Sequence, residues 1–271
     1  MNIPPRYKNY KALIEPISVP TIETGSCLDD YILNDPLGKG SFAEVFNVCK
    51  DYSCQYVAKI VDFTRPPGPD IMMAIFNREV YFNQLLNNSG LVPQFYGAWT
   101  CDNKGYVISE LFDCNMEQYG SDLAKSLVSK FPQLVTTRTL VFYPDQINRM
   151  LTICQKLSDL NIIHGDLKPD NFLYKDSQIV VTDFGLAGDY KNYLPILGWH
   201  YKFECNIPPN VKRIINYYNL WNLELYLIAS NTYIYNINNE SLSKFDYTIP
   251  IDIVILLERL CKKINDIEQY M

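Results

Sequence analysis

The sequence predicts an α+β fold with two lobes: a small antiparallel β-sheet lobe carrying one main helix, then a larger, mainly helical lobe. Up to about residue 110, short apolar runs alternate with glycine and polar turns, which is typical of strands and hairpins. Beyond it, apolar residues recur with a helical period of about 3.6. Hydrophobic residues make up 48% and charged residues 20% of the 271 residues, a balance that favours a folded globular protein.

The first lobe is assigned to residues 29–109, preceded by an extension, residues 1–28, that is rich in proline and turn formers. From Tyr31 to about Ile60, strand-like runs are separated by a glycine turn and by "KDYS". A helix through "IMMAIFNREVYFNQLL" follows, with Asp70 as its expected N-cap. "FYGAW" and "YVISELF" are predicted to form two further strands joined by the turn "CDNKG".

The second lobe is assigned to residues 110–271. "YPDQINRMLTICQKLSDL" has a helical apolar repeat, and Asp145 could cap it. "NFLY" and "QIVVTDF" are predicted as two short strands around a "KDSQ" turn. Two more helices are predicted, "YYNLWNLELYLIA" and "IDIVILLERLCKKINDIEQY", the latter introduced by Thr248 and Pro250.

The charge and composition of the chain indicate which classes of partner and which compartment to expect. The net charge of -6 argues against non-specific nucleic-acid binding and mildly favours neutral or basic partners. No run approaches the roughly eighteen apolar residues of a membrane span, and no export signal is recognised at the N-terminus. We therefore expect an intracellular protein, cytoplasmic or nuclear, whose eight cysteines are reduced thiols, with no nucleic-acid or membrane partner. The sequence leaves the oligomeric state open.

Three features of the first lobe suit phosphate binding. "LGKGSFAEV" places Gly38 and Gly40 in a turn, where a missing Cβ lets backbone N–H groups approach a phosphate, although a plain hairpin turn is the alternative. "VAKI" places Lys59 in an apolar strand, and a lysine pointing outward to solvent is the alternative. Glu79 follows twenty residues later on the predicted helix, and a solvated helix face is its alternative.

The stretch "IIHGDLKPDNFL" is more specific, because it groups Asp166, Lys168 and Asn171. Asp183 follows Asp166 by seventeen residues, at the end of a strand and directly before Phe-Gly. Carboxylate and amide oxygens at strand ends suit Mg²⁺, which takes few protein ligands and relies on substrate phosphates. We expect His164 to be a hydrogen-bonded core histidine.

The order and spacing of glycine loop, Val-Ala-Lys-Ile strand, helix glutamate, catalytic loop and Asp-Phe-Gly resemble the protein kinase superfamily, over roughly residues 31–271. The resemblance implies a bilobal, protein-kinase-like fold. It also implies a Ser/Thr protein kinase that uses ATP and Mg²⁺ on protein substrates, with Lys168 favouring Ser/Thr over Tyr specificity. From the charge, these substrates would be basic.

The resemblance also implies roles for residues. Gly38 and Gly40 would cover the nucleotide phosphates, Lys59 would hold the α- and β-phosphates and pair with Glu79, and Asp166 would orient or accept the substrate hydroxyl proton.

The remaining implied roles complete the site. Lys168 would neutralise charge on the transferred phosphoryl group, and Asn171 and Asp183 would hold Mg²⁺. Adenine would be bound by the side chains of Val45, Ala58 and Leu173 and the backbone of Glu110 and Phe112, with Ser109 as a small gatekeeper.

One departure from the family concerns regulation. Gly165 stands where regulated kinases usually carry an arginine that binds an activation-loop phosphate. Residues 184–210 contain no serine or threonine, only Tyr190, Tyr193 and Tyr201. We therefore predict activity without activation-loop phosphorylation.

Other departures concern the glycine loop, where nucleotide binding should be kept, and the platform for the protein substrate. Ala43 replaces the third loop glycine, Trp199 takes the place of a threonine, and Asn219 stands where aspartate is usual. Asn83 puts a polar group where an apolar residue is expected one turn after Glu79. These changes leave the chemistry in place and make substrate docking by residues 186–210 uncertain.

Two alternatives stay open from the sequence. A small-molecule kinase of the aminoglycoside or choline type shares the His-Gly-Asp stretch and the later metal aspartate, but usually lacks a lysine at the position of Lys168. A pseudokinase acting as a binding module is disfavoured, because Lys59, Asp166 and Asp183 are all kept.

Overall fold

The computed structural model divides the chain into two compact units, and the predicted α+β fold is confirmed. One unit comprises the residues up to Asp113 together with Val180–Gly188, and the other comprises Cys114–Ile179 together with the residues from Asp189 onward. The described residues are 18–22, 26–134, 138–189, 194–196, 199–201, 209–246 and 248.

The first unit is built on a five-stranded antiparallel sheet in the order β1-β2-β3-β5-β4. Two tight turns connect its hairpins, and both residues of each turn have positive φ, from 49° to 64°, which is the geometry that matches the twist of paired strands. These are the turns predicted from "KDYS" and "CDNKG". The strands are β1 Ile32–Lys39, β2 Ala43–Lys50, β3 Ser53–Asp62, β4 Phe95–Cys101 and β5 Lys104–Glu110.

One long helix, α1 (Pro69–Leu86), covers the sheet. Its buried face packs on apolar residues of β3 and β5. The predicted cap is wrong: Gly68 is the N-cap, because Pro69 occupies the first helical position, where a missing N–H costs nothing. Asp70 lies inside the first turn, where its carboxylate faces the positive end of the helix dipole.

The described part of the N-terminal extension packs along the edge of β4. The N–H of Ile22 donates to the carbonyl of Thr100 and the N–H of Thr100 donates to the carbonyl of Pro20, each over 2.9 Å. The indole Nε1 of Trp99 donates to the carbonyl of Cys27 over 2.7 Å. This segment thus adds a short parallel pairing to the sheet.

Among the described cysteines, four form the two disulfides Cys27–Cys101 and Cys49–Cys54. The expectation that every cysteine is a free thiol is therefore wrong for these four. The cause is local: strand pairing brings the N-terminal extension beside β4, and the β2–β3 hairpin brings Cys49 close to Cys54. Spacing along the sequence does not reveal the first approach, whereas the predicted "KDYS" turn between Cys49 and Cys54 was an available signal for the second.

In its described part, the second unit is organised by the helices α2 (Met116–Leu127), α3 (Pro144–Asp159) and α4 (Pro209–Ala229). Helix α3 is the predicted amphipathic helix, but Tyr143 is its N-cap and Asp145 lies in its first turn, because Pro144 again takes the first helical position. The helices α3 and α4 pack on each other.

The second unit also contains a three-stranded sheet that was not predicted, in the order β15-β14-β7. Strand β14 pairs antiparallel with β15 and parallel with β7. The alternating "TYIYN" before an asparagine-rich turn was its available signal. The strands beyond β5 are β6 Cys114–Asn115, β7 Leu140–Phe142, β8 Ile162–Ile163, β9 Phe172–Lys175, β10 Gln178–Val181, β11 Gly188–Asp189, β12 Leu194–Ile196, β13 Trp199–Tyr201, β14 Thr232–Asn236 and β15 Ser241–Lys244.

The last predicted helix, from "IDIVILLERL" onward, lies outside the described residues, as does Pro250. Among the helices that are described, none combines the length and the apolarity needed to cross a bilayer.

Candidate functional site

Lys59 of β3 joins two carboxylates within the first unit. Its Nζ lies 2.7 Å from Oδ1 of Asp183 and 3.2 Å from Oε2 of Glu79. The side chain of Lys59 is 18% exposed and that of Glu79 only 3%, whereas that of Asp183 is 44% exposed. The lysine and glutamate pair expected from the sequence is therefore present inside the fold, and a second, accessible carboxylate, that of Asp183, completes the group.

The charges of this group hold each other in place. Burial by itself lowers the pKa of Lys59, but the carboxylates of Asp183 and Glu79 outweigh it and raise the pKa above its ordinary value. Burial raises the pKa of Glu79, and the Lys59 ammonium opposes that rise. Removing one partner of such a buried pair leaves an uncompensated charge, so Lys59 and Glu79 depend on each other.

The Asp-Phe-Gly stretch is fixed by α1. Asp183 has φ 69° and ψ 61°, in the left-handed region that aspartate tolerates better than most residues. The ring of Phe184 is buried and stacks on Phe82, with centroids 5.7 Å apart. A Cβ at Gly185 would lie 2.7 Å from Cγ2 of Ile75, so only glycine fits there. The helix that carries Glu79 thus also positions Asp183.

The second unit brings together Asp166, Lys168 and Asn171. Oδ2 of Asp166 lies 3.0 Å from Nζ of Lys168 and accepts from Nδ2 of Asn171 over 3.1 Å. The same Nδ2 donates to the Asp166 carbonyl over 2.7 Å. Because the amide nitrogen faces Asp166, the amide oxygen of Asn171 points the other way. The Asp166 side chain is 37% exposed, so an oriented carboxylate is presented to solvent.

Asn219 of α4 anchors the segment that carries Asp166. Its Oδ1 accepts from the N–H of His164 over 3.1 Å, and its Nδ2 donates to the Ile162 carbonyl over 2.8 Å and to Oγ of Ser158 over 3.1 Å. His164 is fully buried, and its Nδ1 accepts from the Asp166 N–H over 3.3 Å, the role expected for it. An amide therefore supplies both the acceptor and the donors that this loop needs.

Gly165 has φ 85°, a conformation that a residue with a Cβ rarely adopts. Tyr190 and Tyr193 lie outside the described residues. Trp199 and Tyr201 belong to β13, which pairs with β12 in a short hairpin.

The glycines of the β1–β2 hairpin are not required by the fold. Only Gly40 lies in the predicted turn, because β1 extends to Lys39 and pairs Gly38 with Val45. A Cβ at Gly38 would meet no atom within 4 Å, and at Gly40 the nearest would be the Ala43 carbonyl oxygen at 3.7 Å. The remaining residues expected around a nucleotide are Val45, Ala58, Ser109, Glu110 and Phe112 in the first unit and Leu173, paired with Asn115, in the second.

A pair of carboxyl groups in the second unit was not anticipated. Burial and then the neighbouring Asp170 carboxyl raise the pKa of Glu117. The hydroxyl of Tyr226 donates to Glu117 over 3.4 Å, and Nδ2 of Asn115 donates to Asp170 over 3.3 Å. Glu117, Asp170 and Tyr226 line a cavity of about 980 Å³. The only signal in the sequence was "NMEQ", an N-terminal helix cap by Asn115.

Comparison with known proteins adds independent information. The family model of the protein kinase domain matches residues 31–199. The serine/threonine-protein kinase mph1 of Schizosaccharomyces pombe is 28% identical over 152 residues, 56% of this chain and 21% of the relative. The calcium/calmodulin-dependent protein kinase type 1 of Macrobrachium nipponense is 30% identical over 165 residues, 59% of this chain and 44% of the relative.

A third relative, the serine/threonine-protein kinase H1 homolog of Pinctada fucata, is 30% identical over 168 residues, 59% of this chain and 36% of the relative. The matches thus span less than half the length of each of these three relatives. The family match ends at residue 199, before α4 begins.

Proposed function

Because this chain belongs to the protein kinase family, we propose that it transfers the γ-phosphoryl group of ATP to serine or threonine hydroxyls of protein substrates. The observation that carries the proposal is the Lys59 ammonium held between Glu79 and Asp183. A buried cation with a raised pKa is charged at any physiological pH, and an accessible carboxylate stands beside it. Polyphosphate and its metal need this combination.

The residues fit ATP and Mg²⁺. At Gly38 the space a Cβ would occupy is open, so a phosphate can approach the backbone there. The carboxylate of Asp183 and the amide oxygen of Asn171 are hard oxygen ligands of the kind Mg²⁺ takes. When bound, Mg²⁺ would neutralise charge on the phosphates. Lys59 would hold phosphate oxygens while Glu79 keeps its ammonium in place.

Asp166 orients the acceptor in this proposal. Its carboxylate is held by Lys168 and Asn171 and is open to solvent. It accepts a hydrogen bond from the substrate hydroxyl, and takes the proton as the hydroxyl oxygen bonds to the γ-phosphorus and the bond to the leaving ADP oxygen breaks. Lys168 stabilises the negative charge of the transferred group.

We propose basic segments as the preferred protein substrates. The neighbouring carboxyl groups of Glu117 and Asp170 in the second unit support this preference, because a lysine or arginine side chain would relieve their mutual repulsion.

We also propose that activity needs no activation-loop phosphate. Gly165 supplies no cation for such a phosphate, and its φ of 85° disfavours any residue that could. Neither the family model nor the named relatives support a small-molecule kinase.

The test is transfer of label from γ-labelled ATP with Mg²⁺ to a panel of basic and acidic proteins. Label should appear as phosphoserine or phosphothreonine, mainly in basic proteins, and Asp183→Asn should reduce the rate at least about 100-fold. Asp176→Asn is the matched control, because Asp176 is exposed and also has positive φ. Full activity in Asp183→Asn, or Mg²⁺-dependent ATP binding without transfer to any protein, would contradict the proposal.

A further inference from the structure

Asn83 lies on α1 one turn after Glu79 and is 3% exposed. Its Nδ2 donates to the Glu79 carbonyl over 2.7 Å and lies 3.4 Å from Oε1 of the Glu79 carboxylate. We propose that Asn83 is a positioning residue, which holds the carboxylate of Glu79 in the orientation that engages Lys59. This inference rests on the proposed function, because it assigns Lys59 to phosphate binding.

An amide at the buried position of Asn83 needs an explanation. The neighbours of Asn83 along the helix, Val80, Phe82 and Leu86, are all buried apolar residues. Burying an amide there costs free energy unless its hydrogen bonds are made, and asparagine is a poorer helix former than leucine or methionine. In the described part of the chain, the hydrogen bonds of Asn83 Nδ2 go to Glu79. With two acceptors around this atom, the orientation of the amide is also determined.

The contacts divide the two oxygens of Glu79 between two partners. Oε2 faces the Lys59 ammonium at 3.2 Å, and Oε1 faces the Asn83 amide. A carboxylate held at both oxygens cannot rotate about its terminal bond. Without Asn83, Oε1 would be buried with no donor from α1, and the carboxylate would turn to recover one.

The restraint on the Glu79 carboxylate matters because Asp183 also contacts Lys59. Asp183 lies nearer to Lys59, at 2.7 Å, than Glu79 does at 3.2 Å, so the two carboxylates compete for one ammonium. A Glu79 carboxylate already turned toward Lys59 keeps its share of the ammonium. Burial raises the pKa of Glu79 and the Asn83 amide opposes that rise, which also supports the charged form that Lys59 needs.

The test is a double-mutant cycle between Asn83→Leu and Glu79→Gln. Because leucine suits a buried helix position, Asn83→Leu should keep or raise Tm while lowering kcat/KM about tenfold, the effect of one hydrogen bond to a charged group. In the Glu79→Gln background, Asn83→Leu should change kcat/KM by less than about twofold, since Asn83 acts through Glu79. Gln84→Leu, an amide replaced on the exposed face of the same helix, is the matched control.

A second variant and a second readout keep the test decisive. Asn83→Ser retains a donor for the Glu79 carbonyl but is too short for the carboxylate, so it should lose activity as Asn83→Leu does. Acetylation of Lys59 by limiting acetic anhydride, followed by mass spectrometry, should accelerate several-fold in both variants. This measurement needs no phosphoryl transfer, so it judges Asn83 even if the wild-type chain proves inactive.

Equal losses of activity in both Glu79 backgrounds, accompanied by a lower Tm, would show a merely structural role and overturn the inference. Unchanged kcat/KM and unchanged Lys59 acetylation in Asn83→Leu would overturn it as well.

Discussion

Lys59 and Asp166 are held in opposite ways. Lys59 is largely buried between two carboxylates, whereas Asp166 is more exposed and held by two donors, Lys168 and Asn171. Replacing Lys59 would strand the buried charge of Glu79, which destabilises the fold as well as the chemistry. Replacing Asp166 strands no buried charge, and Nδ2 of Asn171 keeps its bond to the carbonyl of residue 166. Asp166→Ala is therefore the cleaner substitution for separating catalysis from folding.

Glu117 gives a pH-dependent prediction. Its pKa is raised in the folded state by burial and then by Asp170, so the folded state favours the protonated form. The stability of the wild-type protein must then fall as pH rises above the ordinary value of about 4.5 and through the raised value. Glu117→Gln removes this effect. We expect a higher Tm than wild type at pH 7, by about 1–3 °C, and no difference near pH 3.

Thermal unfolding of both proteins from pH 3 to pH 8 measures this difference. Lys125→Gln, which changes an exposed charge on the same helix, is the control. A Tm advantage of Glu117→Gln that persists unchanged at pH 3 would contradict the assignment.

The roles of some of these residues could be predicted from the sequence, and the roles of others could not. Lys59, Glu79, Asp166 and Asp183 stand in a recognisable order, so their roles could be proposed without coordinates. The role proposed for Asn83 could not be inferred from the sequence. A polar residue at this position is unusual for the family, but only the distances to Glu79 give a reason for its presence.

At the scale of elements, the packing of α1 on the turn after Asp183 has a measurable consequence. Gly185→Ala should destabilise the protein by about 1–3 kcal/mol, because the new methyl group overlaps Ile75. Ile75→Ala alone should cost about 2–5 kcal/mol by leaving a cavity. In the double variant the added methyl group enters that cavity, so the loss should be smaller than the sum of the two.

Urea unfolding of the four proteins of this cycle measures the coupling. Gly90→Ala is unsuitable as a control because of its positive φ, whereas Gly97→Ala, with its nearest side-chain atom 4.0 Å away, is suitable. Strict additivity of Gly185→Ala and Ile75→Ala would show that the contact does not hold this turn.

The spacing of apolar residues and turn residues predicted the helices and strands better than the capping residues predicted where the helices begin. The helices α1 and α3 and the five strands of the first sheet follow from apolar spacing and turn residues. Both predicted N-caps were wrong, because in each helix a proline occupies the first helical position and the residue before that proline is the N-cap. The β15-β14-β7 sheet was missed because its parallel partner, β7, is three residues long and distant in sequence.

At the scale of the whole molecule, the fold of the second unit continues beyond the region that the family model matches. The match ends at residue 199, yet α4 supplies Asn219 to the segment before Asp166, and β14 pairs with β7. Tyr218 and Trp221 of α4 are also buried. The matched segment alone therefore lacks part of the packing that the second unit has in this structure.

Regulation is also a property of the whole molecule. If no activation-loop phosphate is needed, replacing Tyr190, Tyr193 and Tyr201 together by phenylalanine should leave kcat/KM within about twofold of wild type, because the rings are kept and only the hydroxyls are lost. The rate of label transfer from ATP, before and after phosphatase treatment of both proteins, measures this. A loss of tenfold or more in the triple variant would show that tyrosine phosphorylation or a tyrosine hydroxyl contact matters.

Asn219, where an aspartate was expected, makes the tether of the catalytic segment electrically neutral. Dissolved ions screen contacts between charges, but they act little on hydrogen bonds between an amide and the backbone of His164 and Ile162. If the substrates are basic, as proposed, rising ionic strength should weaken their encounter with this acidic chain while leaving the Asn219 tether intact. Across buffers from dilute to concentrated salt, the protein would lose the capture of such substrates before it loses the position of the segment between Ile162 and His164, which leads into Asp166.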